Sequence, residues 1–300
     1  MDTNVIRRIK HSYIGRVCRR FGHLVYSLMF RDGNPVVYDM PRNIEINLYP
    51  QGEIAEFLFY DRRFERSELD LVAAYLKQGM RVIDVGANIG LYSILAHKLV
   101  GPSGKVWAFE PSSETYRRLL NNLSLNDCAS VTPIKVALSD KDSELLLRSD
   151  PGFGDAYRYL ARENHDAIAA SAASKMEGQG CTELVPAVTL DCYATMNGIR
   201  DVAFLKIDIE GGEYRFFQGA HRFLSSNRDI LIMFESAPKW CERAGYKQQD
   251  VFRLLRELGF GLYAWSNWHK NWSPSEGRLL SAEMVWACRD KRRLPVPVSQ

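Results

Sequence analysis

Two short segments of the sequence combine glycine with acidic side chains in patterns that could support chemistry. The first runs Asp84-Val85-Gly86-Ala87-Asn88-Ile89-Gly90, directly between an apolar run and a helical pattern. Ligands of open α/β sheets bind at the carboxyl ends of strands, where glycine lets the backbone approach them closely. The second, Lys206–Glu213, places three carboxylates within six residues. Because these carboxylates repel one another, a positive partner is expected, either Lys206, a metal or a cationic ligand.

Glu110 strengthens the interpretation of the first segment as a ligand site. It ends the next apolar run, twenty residues after Gly90. A carboxylate in this position can accept hydrogen bonds from both ribose hydroxyls of a nucleoside-type cofactor. The alternative is that Glu110 only helps to start the following helix. With the glycine turn beside it, we favour the ribose role. The spacing D-x-G-x-x-x-G is not the G-x-G-x-x-G of a dinucleotide site, which argues against a nicotinamide-dependent dehydrogenase.

Asp208 is the best candidate for a catalytic acid or base. Acids at a helix start stabilise the helix dipole, which explains Glu213 but not a carboxylate still on the strand. Glu235 ends the next strand, 27 residues after Asp208. Acids at two neighbouring strand ends could share one divalent ion through oxygen ligands. The alternative for Glu235 is to cap the sheet or to orient Lys206.

The elements that must position these residues alternate between apolar runs and helical stripes. Such runs, without strict alternation, are typical of parallel strands covered on both faces. Two strands close together at the end indicate one reversed strand. We therefore predict an α/β fold with a mostly parallel seven-stranded sheet, one antiparallel strand and helices on both faces. The predicted strands are Arg81–Gly86, Lys105–Glu110, Val131–Leu138, Val202–Ile209, Ile230–Glu235, Gly259–Trp265 and Ala282–Cys288.

The pattern divides the chain into three parts. Residues 1–50 are predicted to hold a basic amphipathic helix and short strands, residues 51–290 the main domain, and residues 291–300 a flexible tail. Within the main domain, residues 150–184 form a glycine- and alanine-rich insertion, part loop and part weak helix, that could cover an acceptor.

Composition and charge exclude several classes of protein. Hydrophobic residues make up 46% of the chain and charged residues 25%, as in an average globular protein. The net charge of +3 conceals basic ends, because residues 25–288 carry a net charge of −5, a poor footprint for nucleic acid. The six cysteines include no C-x-x-C pair, which favours a reducing, cytoplasmic compartment. The basic helix in residues 1–24 could contact an anionic membrane surface, but we favour packing on its own domain or in a homodimer.

An aromatic run near the end is a candidate for binding an acceptor. Trp265 and Trp268 lie among amide and hydroxyl side chains, and aromatic faces beside amides suit sugar rings. The alternative is a packed loop or a subunit contact. His165, in the insertion, is a second candidate for approaching an acceptor.

Taken together, the motifs resemble the FkbM family of S-adenosylmethionine-dependent methyltransferases. The resemblance covers about residues 55–240. It implies a Rossmann-like class I methyltransferase fold and methyl transfer to a hydroxyl of a sugar, glycan, glycolipid or polyketide-type product. A non-catalytic nucleotide- or glycan-binding module is the alternative from another class. The matching motifs are DVGANIG at 84–90, AFEP at 108–111, NNLSLN at 121–126, ALSD at 137–140, TLD at 189–191 and KIDIEGGE at 206–213.

The resemblance also implies roles for individual residues. Glu110 takes the ribose of the cofactor, and Ser139 and Asp140 lie near its adenine. A catalytic role falls to Asp208, Glu210 and Lys206. The methionine side of the cofactor is lined by Asp84, Gly86, Ala87, Asn88 and Gly90.

Overall fold

The computed structural model describes residues 35–39, 42–47, 49, 65–149, 158–160, 182–267, 269–274 and 284–296. The chain divides into two compact units, Met1–Phe64 and Glu65–Gln300. In the first unit, strand β1 (Pro35–Asp39) pairs antiparallel with β2 (Ile44–Asn47). The amphipathic helix predicted in residues 1–24 lies outside the described residues.

The second unit is built on a large, mostly parallel sheet. Its described strands follow the order β13-β12-β14-β11-β10-β3-β4-β5. Four of these pairings place β5, β4, β3, β10 and β11 parallel, whereas β14 and β13 run antiparallel to their neighbours. The strands are β3 (Arg81–Val85), β4 (Lys105–Phe109), β5 (Val131–Ile134), β10 (Phe204–Ile207), β11 (Leu231–Glu235), β12 (Gly261–Ser266), β13 (Asn271–Pro274) and β14 (Met284–Cys288).

Helices cover the central strands, which explains the apolar runs in the sequence. All four residues of β10 are buried, as are four of the five residues of both β3 and β11. One face of these strands packs into a core that includes Phe216, Phe217 and Phe252 from the helices. The described helices are α1 (Arg66–Tyr75), α2 (Leu91–Val100), α3 (Ser113–Leu125), α4 (Leu190–Asn197), α5 (Glu213–Gly219), α6 (His221–Ser226), α7 (Pro238–Ala244) and α8 (Gln248–Glu257).

The predicted fold class is confirmed, with two differences in the main sheet. The described residues give this sheet eight strands rather than seven, because the aromatic run after β12 folds back as strand β13. For the same reason two of its strands are antiparallel rather than one. Trp265 of β12 pairs with Trp272 of β13 in this hairpin. In the predicted flexible tail, Lys291–Arg293 form a 3₁₀ turn held by an ion pair between Arg293 and Asp229 at 2.6 Å.

A second, smaller sheet was not predicted. Its described strands follow the order β6-β9-β7-β8. The predicted strand Val131–Leu138 is wrong as a single element, because its first half is β5 and its last two residues are β6 in this other sheet. The predicted insertion of residues 150–184 contains β8 and the first residues of β9, so its described residues form strands rather than the predicted loop and weak helix. The strands are β6 (Ala137–Leu138), β7 (Ser143–Ser149), β8 (Arg158–Leu160) and β9 (Thr182–Val188).

The described helices include none that is both long enough and apolar enough to cross a membrane. Parallel pairing brings the carboxyl ends of β3, β4, β10 and β11 to one edge of the large sheet. The candidate acids of the sequence lie at this edge. Glu110 directly follows β4, Asp208 directly follows β10, and Glu235 is the last residue of β11.

Candidate active site

The glycine turn after β3 is fixed by the backbones of its two neighbouring strands. The amides of Gly86 and Ala87 both donate to the carbonyl of Phe109, at 3.0 and 2.9 Å. Gly86 has φ of +72°, and a Cβ placed there would lie 2.0 Å from the Asp208 carbonyl oxygen. Gly90 starts α2 with φ of +97°, and Asn88 between them has φ of +49°. The turn thus requires glycine at position 86 for a close backbone approach.

Glu110 lies against this turn, as its place in the sequence predicted. Its Oε2 accepts a hydrogen bond from the Asn88 amide at 3.1 Å, and its Oε1 accepts one from the Ser112 amide at 3.0 Å. These bonds hold the carboxylate beside the glycine turn, and the residue is 7% exposed. Each oxygen of an ionised carboxylate has room for a further donor. Glu110 therefore retains the capacity to accept hydroxyl groups.

Lys206 connects the glycine turn to the acidic segment. Its Nζ donates to the Gly86 carbonyl at 3.0 Å and lies 3.3 Å from Asp208 Oδ2 and 3.7 Å from Asp84 Oδ1. Burial lowers the pKa of Lys206, but the carboxylates of Asp208 and Asp84 outweigh it and raise this pKa above its ordinary value. A lysine held in its charged form cannot accept a proton. Its geometry suits an electrostatic role.

Asp84 lies below the surface of the site. It is 1% exposed, and its Oδ2 accepts a hydrogen bond from Ser93 Oγ at 2.6 Å. Burial raises the pKa of Asp84, whereas Lys206 and the Ser93 hydrogen bond oppose this shift. These contacts make Asp84 a partner of Lys206 and of helix α2.

Three partly exposed carboxylates meet where β10 and β11 end. Asp208, Glu210 and Glu235 each offer an oxygen atom, and these atoms lie within 4.8 Å of one another. Glu210 adopts φ of +51°, a strained conformation for a residue other than glycine. The structure therefore brings together the two acids predicted to share an ion, Asp208 and Glu235, and adds Glu210, which was predicted only as a catalytic residue. Oxygen donors at this separation fit a hard divalent cation such as Mg²⁺ or Ca²⁺.

Glu213 has a different position from the other acids of its segment. Its Oε1 accepts hydrogen bonds from the amides of Ile209 and Gly211, at 3.1 and 3.4 Å, and its Oε2 accepts one from Tyr246 Oη at 3.0 Å. Burial raises the pKa of Glu213, and the hydrogen bonds oppose this shift. Glu213 therefore shapes the loop that carries Asp208 and Glu210.

Sequence reasoning missed two residues of the site, Glu65 and Tyr92. Glu65 precedes helix α1, and burial followed by the charge of Asp208 raises its pKa to about 7, against the opposing effect of Lys206. Tyr92 lies in the first turn of α2, and burial followed by the charge of Glu65 raises its pKa well above the ordinary value. No motif marks Glu65, which lies in a segment of mixed charge. Tyr92 is only two residues after Gly90, so its position beside the glycine turn could have identified it as a candidate site residue.

The predicted adenine and acceptor residues are less closely connected to this site. Ser139 donates through Oγ to Asp140 at 2.9 Å and follows β6 of the smaller sheet. Trp265 stacks edge-on against Trp272 with ring centroids 5.2 Å apart, and Trp272 contacts the buried Trp286 at 5.5 Å. Trp268 and His165 lie outside the described residues. The adenine and acceptor roles stay predictions.

The strand order, the glycine turn and the carboxylate after the next strand are those of a Rossmann-like methyltransferase. The profile of the methyltransferase FkbM domain matches residues 84–262. The chain belongs to this family, as its motifs indicated.

The similarity to individual proteins is low, at 25% sequence identity or less in the following examples. The curated methyltransferase sdnD of Sordaria araneosa is 25% identical over 270 residues, which cover 82% of this chain and 98% of that protein. A SAM-dependent O-methyltransferase of Thermotoga maritima is 15% identical with a TM-score of 0.39, covering 75% of this chain and 66% of the other. Aeropyrum pernix fibrillarin, solved with S-adenosyl-L-methionine, is 12% identical with a TM-score of 0.39, covering 74% of each chain.

Proposed function

We propose that this protein is an S-adenosylmethionine-dependent O-methyltransferase. Its acceptor is a hydroxyl of a sugar, glycan, glycolipid or polyketide-type product. The observation that supports the proposal is that two groups of residues, here called half-sites, lie together at one edge of the sheet in a member of a methyltransferase family. The glycine turn and Glu110 form one half, and Lys206 and Asp208 form the other. The Lys206 hydrogen bond to Gly86 connects them.

The first half-site fits the adenosyl part of the donor. Glu110 is held beside the turn by the Asn88 amide and retains acceptor capacity for ribose hydroxyls. The absence of a side chain at Gly86 and Gly90 allows the turn to approach a ligand closely. Ser139 and Asp140 are proposed to lie toward the adenine.

The second half-site fits the chemistry of transfer. The bound donor supplies a methyl group already activated on a sulfonium, so the protein mainly has to position the acceptor oxygen, which contributes up to about 7–11 kcal/mol. Asp208 is proposed to accept the proton that the hydroxyl loses. Lys206, whose Nζ lies 3.3 Å from its Oδ2, orients this carboxylate. Glu210 lies beside Asp208 where β10 and β11 end, with one carboxylate oxygen within 4.8 Å of an oxygen of Asp208.

A divalent ion is the alternative means of activating the hydroxyl. Asp208, Glu210 and Glu235 would hold it through oxygen atoms. Such an ion would lower the pKa of a bound hydroxyl, as bound Zn²⁺ does more strongly for water, from about 15.7 to about 7. Trp265 of strand β12, together with Trp268 and His165, is a proposed acceptor contact.

The test is release of S-adenosylhomocysteine by the purified full chain across a panel of sugars, glycolipids and polyketide-type alcohols, with and without chelator. We expect release only when a hydroxylated acceptor is present. A chelator should abolish release if an ion is required and leave it unchanged if Asp208 acts alone. Binding of S-adenosylmethionine without release, for every acceptor, would favour the non-catalytic binding module.

A further inference from the structure

Glu65 has a strained backbone that helix capping does not explain. It occupies the position before α1 with φ of +50° and ψ of +20°, and its side chain makes no capping hydrogen bond. Residues other than glycine rarely adopt this conformation, and those that do cluster at ligand sites. Asn88 and Glu210, both at the site, share it, but so do Asp127, Asp201 and Lys270, which lie outside the site. The backbone of Glu65 is therefore compatible with a functional role but does not by itself establish one.

The acidic groups around Lys206 outnumber its single positive charge, so a second cation could be bound there. Three carboxyl groups, those of Asp84, Asp208 and Glu65, act on the single ammonium of Lys206. Lys206 lies within 4.0 Å of Asp84 and Asp208, and among the described pairs none joins it to Glu65 at that distance. Glu68, near the start of α1, adds further negative charge toward Glu65. Glu65 is consequently the acid least compensated by Lys206.

Accessibility separates Glu65 from Asp84. Asp84 is 1% exposed and is occupied by Ser93 and Lys206, so it cannot contact a ligand without rearrangement. Glu65 retains some exposed surface, although burial of its carboxyl raises the pKa of this group. Beside it, the hydroxyl of Tyr92 is nine-tenths buried and makes no hydrogen bond of ordinary geometry with a described residue. This buried hydroxyl neighbours the Glu65 carboxyl and interacts with it.

The position of Glu65 indicates which part of a donor it faces. Glu110 follows β4 on one side of the glycine turn, whereas Lys206 lies in β10 and Asp208 directly follows β10 on the other side. Tyr92, whose ring centroid lies 5.2 Å from Lys206 Nζ, neighbours the Glu65 carboxyl, so Glu65 lies on the β10 side. This is the side opposite the proposed ribose site.

We propose that Glu65, supported by Tyr92, is a positioning residue that receives a cationic group of the methyl donor. This inference rests on the proposed function, because S-adenosylmethionine carries two cations outside its nucleoside, the α-ammonium and the sulfonium. Asp84, the acid of the glycine turn, acts indirectly by holding Lys206. Glu65 thus favours the charged donor over uncharged nucleosides.

The test compares the affinity of three probes for the wild-type chain, Glu65→Gln and the matched control Glu257→Gln, an exposed glutamate at the end of α8. Calorimetry at about pH 8, above the pKa of Glu65, keeps this carboxyl ionised. S-adenosylmethionine carries both cations, S-adenosylhomocysteine only the ammonium, and 5′-methylthioadenosine neither. Glu65→Gln should weaken S-adenosylmethionine binding by about 10- to 100-fold and leave methylthioadenosine within about twofold. Glu257→Gln should change neither affinity.

The homocysteine probe identifies the cation. Equal weakening of S-adenosylmethionine and S-adenosylhomocysteine assigns Glu65 to the ammonium, and weakening of S-adenosylmethionine alone assigns it to the sulfonium. Unchanged affinities, or equal changes for all three probes, would overturn the inference. If wild-type chain binds none of the probes, the proposed function fails instead. Should Glu65→Gln not fold, Glu65→Asp keeps the charge, shortens its reach, and is expected to show the same selective loss.

Discussion

The two halves of the site are built by different means. On the side of β4, Glu110 and the glycine turn are held by backbone amides, at distances of 3.0–3.1 Å and within two neighbouring strand-to-helix connections. On the side of β10, Lys206, Asp208 and Glu65 interact through charge between segments far apart in the sequence. Backbone hydrogen bonds fix a shape, whereas surplus charge provides binding energy for a cation. The first half therefore suits a constant nucleoside, and the second suits a group whose charge changes during reaction.

The largest effect is expected from Asp208→Asn, which keeps the shape of the side chain and removes its charge. Turnover should fall by about 10²- to 10⁴-fold, the contribution of a positioned base. Initial-rate measurement of S-adenosylhomocysteine release checks this. Asp201→Asn is the matched control, because Asp201 precedes β10 at the opposite sheet edge and its side chain is 81% exposed. Near-normal turnover in Asp208→Asn would show that this carboxylate is structural.

Glu65→Gln is expected to stabilise the protein at alkaline pH. Since the folded pKa of Glu65 is about 7 and its ordinary value is 4.5, the folded state resists ionisation that the unfolded state allows. The favourable contribution of protonated Glu65 is complete below about pH 4.5 and is lost as pH rises through 7, a difference of about 3 kcal/mol. Urea unfolding at both ends of this range should show a more stable variant at high pH and little difference at low pH. Parallel pH profiles for the two proteins would contradict this assignment.

Glu110→Ala tests the backbone-fixed half. It removes the acceptor for the Asn88 and Ser112 amides and for the proposed ribose hydroxyls. Cofactor affinity should weaken by about 1.5–3 kcal/mol, the value of a charged hydrogen bond. Calorimetric titration of a variant whose circular dichroism is unchanged checks the effect. Wild-type affinity in such a variant would remove Glu110 from the cofactor site.

The smallest effect is expected from Tyr246→Phe. It deletes the hydroxyl that donates to Glu213 Oε2 but keeps the ring, which stacks on Tyr214 at 5.3 Å. Because Glu213 keeps its two amide donors, the free energy of unfolding should fall by only about 1 kcal/mol. Tyr214→Phe is the control, with no change expected in thermal unfolding. A large loss of cofactor affinity in Tyr246→Phe would mean that the Glu213 loop shapes the cofactor site directly.

The contrast between the half held by backbone amides and the half held by charge between distant segments also explains which parts of the molecule could be predicted from the sequence. The glycine turn and Glu110 lie in neighbouring strand-to-helix connections, so local spacing was sufficient to predict them together. Lys206 and Asp84 meet because they are register partners in adjacent parallel strands. Their proximity follows from the prediction that the carboxyl ends of parallel strands lie at one edge of the sheet.

Glu65 could not be predicted, because its interaction with Asp208 joins residues more than a hundred positions apart and follows no periodic pattern. The smaller sheet was missed for a different reason. In β7, Leu145 and Leu147 are buried, but Leu146 between them is also apolar and conceals the alternation typical of a strand. The split of Val131–Leu138 was hidden because both halves have the same apolar character.

The central claim is that the β4 side holds the cofactor and the β10 acid performs the chemistry. The most direct measurement is the dissociation constant of S-adenosylmethionine for Glu110→Ala and Asp208→Asn, determined side by side by calorimetry. The account predicts a loss of more than about tenfold for Glu110→Ala and a change within about tenfold for Asp208→Asn. Equal losses in the two variants, or a larger loss in Asp208→Asn, would contradict it.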